Sequence, residues 1–252
     1  MRKVETNNKI IALAGNPNVG KSTLFNALTG MKQHTGNWAG KTVSNAIGQY
    51  KDSNYNFTFV DIPGTYSLMA HSEEERVARD YLIFGKPDAT VVVCDATTLE
   101  RNLNLTLQIL EITKRVVVCV NLMDEAEKKG IKINLNELSK KLGVPVIGTN
   151  ARGGKGIKLL IKTLDSMFKN ENNLDPLTVK YPNFLETAIG HIEKALTDEY
   201  KNIPVNSKWL AIKILEGDEK LLNSFEKEFK LHITPKISDA VIRAKNQLKS
   251  QI

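Results

Sequence analysis

Short apolar runs alternate with longer amphipathic segments along the first 170 residues of the chain. The runs rich in β-branched residues are predicted to be strands: Ile10–Ala14, Phe57–Asp61, Thr90–Asp95, Arg115–Asn121 and Val144–Gly148. Segments between them place apolar residues at helical spacing and are predicted to be helices: Lys21–Thr29, Ser72–Ile83, Asn102–Thr113, Asn134–Leu142 and Gly156–Phe168. Val43–Tyr50 is predicted to form a hairpin with the Phe57 strand. This alternation favours an α/β fold, a mainly parallel sheet with helices on both faces.

A polar stretch at Lys169–Pro176 separates this part from the rest of the chain. Beyond it, apolar residues recur only at helical spacing, and proline and glycine divide the pattern into about four segments. We therefore expect an α/β domain over residues 1–170 and a small all-α helical bundle over 171–252.

The composition is that of an ordinary globular protein, with 25% charged and 41% hydrophobic residues. It excludes a disulfide scaffold and a wholly disordered chain. No run approaches the roughly 20 apolar residues of a membrane span, and the N-terminus is polar, so we expect a soluble, intracellular chain. Cys94 and Cys119 lie inside valine runs and are predicted to be buried, reduced thiols.

The net charge of +7 belongs entirely to residues 1–170, which hold 23 Lys and Arg against 16 Asp and Glu. Such a balance suits nucleic acid, an anionic membrane surface or a polyphosphate ligand. Because basic runs are short and aromatic residues are only 6% of the chain, no stacking surface for nucleic acid is evident, and no nucleic acid is expected as a partner.

The segment after the first predicted strand reads GNPNVGKS and matches the phosphate-loop pattern GxxxxGK[ST]. In this pattern glycines let backbone N–H groups close on phosphate oxygens at a helix N-terminus. Lys21 is expected to reach the β- and γ-phosphates, and the Ser22 hydroxyl to bind Mg²⁺. The residues predicted to contact nucleotide here are Gly15, Asn16, Pro17, Asn18, Val19, Gly20, Lys21, Ser22 and Thr23.

Asp61 and Gly64 form a DxxG pattern at the end of the next core strand. An aspartate there can make a second contact to Mg²⁺, usually through water, and the Gly64 N–H can meet a γ-phosphate. Thr65 follows where many GTPases place a water-orienting glutamine, so slow hydrolysis is expected, and no general base is identified.

The pattern NxxD, from Asn121 to Asp124, ends a later strand. An aspartate here can accept hydrogen bonds from the N1–H and N2–H₂ of guanine, a donor pair that adenine lacks, so it favours GTP over ATP. Thr149, Asn150 and Ala151 follow the last strand as the expected base-supporting loop, with the Ala151 N–H directed at guanine O6. In order along the chain, these four patterns resemble those of translation-factor-like GTPases over residues 9–170.

Longer stretches are similar to the cytosolic N-terminal region of the bacterial ferrous iron transporter B family (FeoB). They read GNPNVGKS, GNWAGKTV, DIPGTYSL, EERVARDYL and, in the helical part, WLAIKILEGD. The resemblance implies a GTPase domain, a dissociation-inhibitor-like helical domain and a membrane-embedded transport region of the same polypeptide, which this chain lacks. It also implies a place on the cytoplasmic face of the bacterial cell membrane. A small cytosolic partner protein and a homo-oligomer stay open as further partners, since the sequence does not fix the oligomeric state.

The same resemblance assigns roles in two switch loops, at about 33–44 and 64–76. Thr42 would be the first-switch ligand of Mg²⁺, and from the chain pattern alone Thr35 competes with it. Asn18 would bind K⁺ beside the nucleotide, with backbone carbonyls of Gly36, Asn37 and Trp38 completing that site. The expected ligands are thus GTP or GDP, Mg²⁺ and K⁺.

The function expected from this pattern is a slow GTP-hydrolysing switch that gates or regulates ferrous iron uptake by a membrane transporter. The basic first part also suits a free-standing cytosolic GTPase acting in ribosome or RNA assembly. The neutral helical part, which holds 12 basic and 12 acidic residues, weighs against that alternative.

Overall fold

The structure is a computed structural model, and it describes residues 7–30, 33–37, 44–51, 55–169 and 175–250. Within these residues the chain forms two compact units. The first runs to Leu110 and from Lys114 to Leu177, and the second comprises Glu111–Thr113 and the chain from Thr178 onward. Trp38 and Thr42, which sequence analysis places in the first switch, lie outside the described residues.

A seven-stranded sheet forms the centre of the first unit, in the order β2-β3-β4-β1-β5-β6-β7. The strands are β1 (Asn7–Gly15), β2 (Gln33–Asn37), β3 (Ser44–Lys51), β4 (Tyr55–Asp61), β5 (Ala89–Asp95), β6 (Val116–Asn121) and β7 (Val146–Gly148). Strands β4, β1, β5, β6 and β7 are parallel, and β3 pairs antiparallel with β4. The mainly parallel sheet and the hairpin are therefore confirmed.

In the described part of this unit, five helices and one 3-10 turn (Ala96–Thr98) lie between strands, and a sixth helix follows β7. The helices are α1 (Lys21–Thr29), α2 (Glu73–Phe84), α3 (Leu99–Ile112), α4 (Met123–Lys128), α5 (Leu135–Leu142) and α6 (Ile157–Lys169). Side chains cap two of them: Ser72 accepts the Glu75 N–H ahead of α2, and Asn134 accepts the Glu137 N–H ahead of α5. The caps explain why these helices begin one residue after the predicted starts.

The central strands β1, β5 and β6 are buried on both faces over most of their length, as their continuous apolar runs require. One face of β1, β4, β5 and β6 packs with apolar side chains of α1 and α6, among them Phe25 and Leu164. On the opposite face, Cys94 of β5 contacts Thr106 of α3. The sheet is thus held rigidly between helices, and its carboxyl edge can position loops accurately.

Two elements of the first unit differ from the predictions. Part of the loop expected at about 33–44 is the strand β2, which pairs antiparallel with β3 and brings Gly36 and Asn37 into the edge of the sheet. Its sequence, QHTGN, has no apolar alternation, and pairing with β3 supplies the backbone hydrogen bonds instead. The short helix α4 directly after β6 was also not predicted, because six mostly polar residues give no helical periodicity.

The second unit is helical, with α7 (Asn183–Glu199), α8 (Ser207–Glu216), α9 (Glu219–Phe229) and α10 (Pro235–Lys249). Helix α7 packs against α8 and α10. The core of the second unit is formed by fully buried apolar side chains, including Ile192, Leu210, Phe225 and Ile237. The four helices found in the described part of this unit match the predicted bundle.

Of the helices that the described residues form, none has both the length and the apolar character needed to cross a membrane.

The residues Glu111–Thr113 end α3 and group with the helical unit. Within that unit, the Tyr181 hydroxyl donates to the Glu111 carboxylate at 2.6 Å, and the Asn206 N–H donates to the Ile112 carbonyl at 3.2 Å. Burial, followed by the hydrogen bond to Glu111, raises the pKa of Tyr181 well above its usual value. The last turn of α3 thus has polar partners that come from far along the chain.

Candidate functional site

The residues singled out by sequence patterns converge at the carboxyl edge of the sheet. Asp61 ends β4 and pairs with Leu13 of β1, and Asn121 ends β6 and pairs with Asp95 of β5. In open α/β sheets ligands bind in the crevice outside this edge. The order of the strands therefore brings together the loops after β1, β4, β6 and β7.

The phosphate loop begins at Gly15, which is also the last residue of β1. Gly20 has φ +82 and precedes the first residue of α1, Lys21. A Cβ at Gly20 would lie 2.4 Å from the Asn121 side-chain nitrogen, and one at Gly15 would lie 2.6 Å from the Val93 carbonyl. Both glycines are thus required by close packing, and Gly20 also by its left-handed backbone.

The two asparagines of the loop differ in their surroundings. Asn18 is exposed with φ +65, a conformation that asparagine tolerates better than most residues. Asn16 is only 3% exposed, and neither its side-chain oxygen nor its nitrogen has a hydrogen-bond partner. Because an unpaired buried amide is costly, its two polar atoms need a water or ligand contact. Asn16 is among the residues predicted to contact nucleotide, although the phosphate-loop pattern accepts any residue type at this position.

Lys21 and Asp61 are held together at the start of α1. The Lys21 ammonium forms an ion pair with the Asp61 carboxylate and donates to the Ile62 carbonyl at 2.7 Å. Both side chains are largely buried, at 11% and 13% exposure. Ser22 is exposed in the first turn of the helix. The Ser22 hydroxyl and the Asp61 carboxylate are oxygen ligands of the kind that Mg²⁺ prefers, so these residues fit the predicted ion.

The corner after Asp61 packs directly on the phosphate loop. The Thr65 N–H donates to the Gly15 carbonyl at 3.2 Å, and a Cβ at Gly64 would already touch Pro17 at 3.4 Å. The Thr65 hydroxyl donates to the Ser67 carbonyl at 2.8 Å. The backbone of the DxxG segment is therefore coupled to the loop predicted to hold phosphates.

Glu75, in the first turn of α2, organises the rest of this segment. Its carboxylate accepts from the Ser67 hydroxyl at 2.8 Å and from the His71 N–H at 3.0 Å. On the other side, the Leu68 N–H donates to the Gln108 side chain of α3 at 2.7 Å. Sequence analysis missed both side chains, although the spacing from Ser72 to Glu75 is that of a capping box.

Asn121 connects the phosphate loop to the loop after β7. Its side-chain nitrogen donates to the Val19 carbonyl at 3.0 Å, and its oxygen accepts from the Thr149 hydroxyl and the Ala151 N–H, both at 3.0 Å. The residue is 1% exposed. One buried amide thus fixes two loops that come from distant parts of the chain.

Asp124 lies in the first turn of α4, after Leu122 in a left-handed conformation with φ +60. Its Oδ1 atom is buried and has no hydrogen-bond partner. The residue Asp124 lines a cleft of about 650 Å³ together with Thr149, Asn150 and Lys155. A buried carboxylate oxygen without a donor is suited to accept hydrogen bonds from a ligand that enters this cleft.

The predicted base-supporting loop is brought beside Asp124. Asn150 and Lys155 exchange backbone hydrogen bonds at 3.0 and 3.1 Å, which close the loop into a tight turn. The Ala151 N–H, expected to face guanine O6, donates here to Asn121. A base would therefore have to share this donor with Asn121 or displace it.

The sheet order, the phosphate loop and the loops after β4, β6 and β7 define a phosphate-loop GTPase-like domain, followed by a helical domain. The family model for ferrous iron transport protein B matches residues 9–164, and the model for the FeoB cytosolic helical domain matches residues 181–252. The chain therefore belongs to the ferrous iron transport protein B family.

The Fe(2+) transporter FeoB of Escherichia coli (strain K12) is 40% identical over 213 residues, which cover 82% of this chain but 27% of that protein. A fusion of Fe(2+) transport protein A and FeoB from Porphyromonas gingivalis is 38% identical over 84% of this chain and 25% of its own length. The chain thus spans about a quarter of the length of these curated relatives.

The cytosolic domain of the T. maritima FeoB iron transporter has the same architecture. Its GDP form II superposes with a TM-score of 0.79 at 34% identity, over 96% of this chain and 98% of that domain. The GMPPNP form gives a TM-score of 0.78 at 35% identity over the same shares. The likeness extends over both the sheet-containing and the helical parts.

Proposed function

We propose that this chain is a GTP-binding and slowly GTP-hydrolysing switch, the cytosolic part of a ferrous iron transporter. The observation that carries the nucleotide assignment is the buried, unpaired Oδ1 of Asp124, a residue that lines the cleft beside Thr149 and Asn150. Guanine offers two adjacent N–H donors to such a carboxylate, whereas adenine does not. The GDP and GMPPNP forms of the T. maritima domain support the same assignment.

In the proposed complex, the loop from Gly15 to Thr23 surrounds the phosphates with backbone N–H groups at the N-terminus of α1. Lys21 exchanges its contacts with Asp61 and Ile62 for the β- and γ-phosphates. The Ser22 hydroxyl, the Asp61 carboxylate and Thr42 would hold Mg²⁺, which would neutralise phosphate charge. Gly64 presents its N–H to the γ-phosphate from the corner that packs on the phosphate loop.

Hydrolysis in this site proceeds by in-line attack of water on the γ-phosphate, and we assign no general base. Thr65 stands at the position of the usual water-orienting glutamine, and its hydroxyl is committed to the Ser67 carbonyl. The proposed rate is therefore slow. K⁺ held by Asn18 and the backbone carbonyls of residues 36–38 would supply charge beside the phosphates and stimulate the reaction.

The switch would act through the two loops that meet the γ-phosphate, at about 33–44 and 64–76. Residues 1–170 form the nucleotide-binding domain in this proposal, and residues 171–252 form the dissociation-inhibitor-like helical domain. The membrane-embedded region of the same polypeptide is the proposed target, at the cytoplasmic face of the bacterial membrane, where nucleotide state gates or regulates Fe²⁺ uptake. The P. gingivalis fusion supports a small cytosolic partner protein.

Base specificity is tested first by replacing Asp124. Binding of GDP, ADP and XDP is measured by isothermal titration for the wild type, Asp124→Ala, Asp124→Asn and the control Glu125→Ala. Two charge-assisted hydrogen bonds are lost in the alanine variant, so the affinity for GDP should fall by about a hundredfold or more. Asparagine can donate to the xanthine oxygen, so Asp124→Asn should favour XDP. Equal wild-type affinity for ADP and GDP would refute the base assignment.

The transporter assignment is tested in cells of the source organism. An antibody to this domain is used to blot separated membrane and soluble fractions. A band far heavier than the 28.1 kDa of this chain in the membrane fraction is expected. A band of the chain's own mass in the soluble fraction would remove the transport role and leave the nucleotide chemistry untouched.

A further inference from the structure

The two cysteines of the chain lie on neighbouring strands and face opposite sides of the sheet. Cys119 of β6 pairs with Val93 of β5, whereas Cys94 pairs with Val120. Both thiols are fully buried, and each contacts a threonine hydroxyl. Cys119 lies 3.2 Å from the Thr149 hydroxyl, and Cys94 lies 3.5 Å from that of Thr106.

The direction of the hydrogen bond at Cys119 follows from the partners of Asn121. The Asn121 nitrogen must donate to the Val19 carbonyl, and its oxygen must accept the Ala151 N–H, so the orientation of the amide is fixed. The Thr149 hydroxyl therefore gives its single proton to the Asn121 oxygen. It has none left for sulfur, and so the Cys119 S–H must donate to Thr149.

The thiol is suited to this role because it stays protonated. Burial raises the pKa of the Cys119 thiol to about 12, against a smaller lowering by the bond to Thr149. Around neutral pH the group is an S–H donor at all times. The chain of bonds that starts at this proton ends at the Val19 carbonyl of the phosphate loop and at the loop after β7.

We propose that Cys119 is a positioning residue of the nucleotide site: its S–H fixes the Thr149 hydroxyl, which in turn fixes the Asn121 amide between the two nucleotide loops. The inference rests on the proposed guanine-nucleotide function of this site. No sequence pattern signals it, because a cysteine within a valine run has the pattern of core packing alone.

The other cysteine provides a matched control. The Thr106 hydroxyl donates to the Asn102 carbonyl at 3.3 Å, so the Cys94 S–H is also a donor to a threonine. This second chain of bonds ends inside α3 and does not reach Asn121 or the loop after β7. Alanine at either cysteine therefore removes the same atoms from the core. The lost S–H donor held Thr149 and through it Asn121 in one case, and only Thr106 of α3 in the other.

The experiment measures dissociation of N-methylanthraniloyl-GDP by stopped flow, together with thermal stability, for the wild type, Cys119→Ala, Cys94→Ala and Cys119→Ser. Loss of one weak hydrogen bond to the Asn121 network should accelerate dissociation roughly three- to tenfold in Cys119→Ala. Cys94→Ala should lose comparable stability and keep the wild-type rate. Cys119→Ser retains a donor, so its rate should return towards that of the wild type even where its stability is lower.

A double-mutant cycle with Thr149→Val tests whether Cys119 acts on nucleotide dissociation through the Thr149 hydroxyl. In that background Cys119→Ala should cause no further acceleration, because the hydroxyl that received the proton is gone. Equal acceleration by both cysteine variants, or full additivity with Thr149→Val, would overturn the proposal. If Cys119→Ala does not fold, Cys119→Val fills the space without a donor and takes its place. A wild-type protein that binds no guanine nucleotide would refute the proposed function instead.

Discussion

Replacing Glu75 by alanine should loosen the segment from Thr65 to Ser72 while leaving helix α2 intact. The Glu75 carboxylate accepts from the Ser67 hydroxyl and the His71 N–H, and both bonds disappear in the variant. The helix cap survives, because it uses the Glu75 backbone N–H and the Ser72 hydroxyl. The perturbation is therefore confined to the loop that we propose as the second switch.

The magnitude follows from those two bonds. Hydrogen bonds to a charged group contribute about 1.5–3 kcal/mol each, and the lower end applies because Glu75 is half-buried and His71 is exposed. Allowing for the solvent that replaces them, we expect a local loss of about 2 kcal/mol, which corresponds to about a 30-fold rise in the open population of the loop.

Hydrogen exchange followed by mass spectrometry measures that population directly. Peptides covering 65–72 should exchange about 30-fold faster in Glu75→Ala, and peptides from the middle of α2 should not change. Glu74→Ala removes the same charge from the exposed neighbouring position and serves as the control. An equal rise of the exchange rate in both variants, or no rise in Glu75→Ala, would refute the inference that the Glu75 carboxylate holds this loop closed.

Two further predictions concern backbone geometry and pH. Gly20→Ala should weaken GDP binding more than tenfold, since its Cβ would meet the Asn121 side chain; Gly30→Ala, with φ +63 and open space around it, carries only the backbone cost of about 1 kcal/mol. Equal nucleotide affinity in these two variants would contradict the close-packing argument. Burial raises the pKa of Tyr81 to about 12 and those of the two cysteine thiols to about 11 and 12. The folded state holds these protons more tightly, so their stabilising effect is complete below about pH 9 and is lost as the pH rises towards 12. The urea midpoint should fall steadily above pH 9, and a midpoint that stays constant up to pH 11 would show that these groups do not control alkaline unfolding.

The parallel strands were predictable because each is a buried apolar run next to a helical segment, whereas their order in the sheet was not. The placement of Asp124 directly after β6 was predictable because the NxxD pattern follows the phosphate loop and the DxxG pattern in order along the chain, although NxxD alone is common. The strand β2 was not, because its stability comes from pairing with β3 rather than from its own side chains.

The contacts that complete the site were beyond sequence reasoning for a different reason. Glu75 and Ser67 are eight residues apart, Asn121 and Val19 are 102 apart, and Cys119 and Thr149 are 30 apart. No local pattern records which polar side chains meet once the sheet has formed. The sequence patterns predicted where the nucleotide loops lie along the chain, whereas the hydrogen bonds between those loops depend on the tertiary structure.

The end of α3 has a consequence for the modularity of the protein. Ile112 is buried, and its carbonyl is paired with Asn206, while Glu111 holds the Tyr181 hydroxyl. A truncated protein that stops at residue 170 would keep every proposed nucleotide contact but would strip these partners from the last turn of its own α3. A cut at residue 170 would therefore divide the second compact unit itself, because the Glu111–Thr113 segment of that unit lies on the amino-terminal side of the cut.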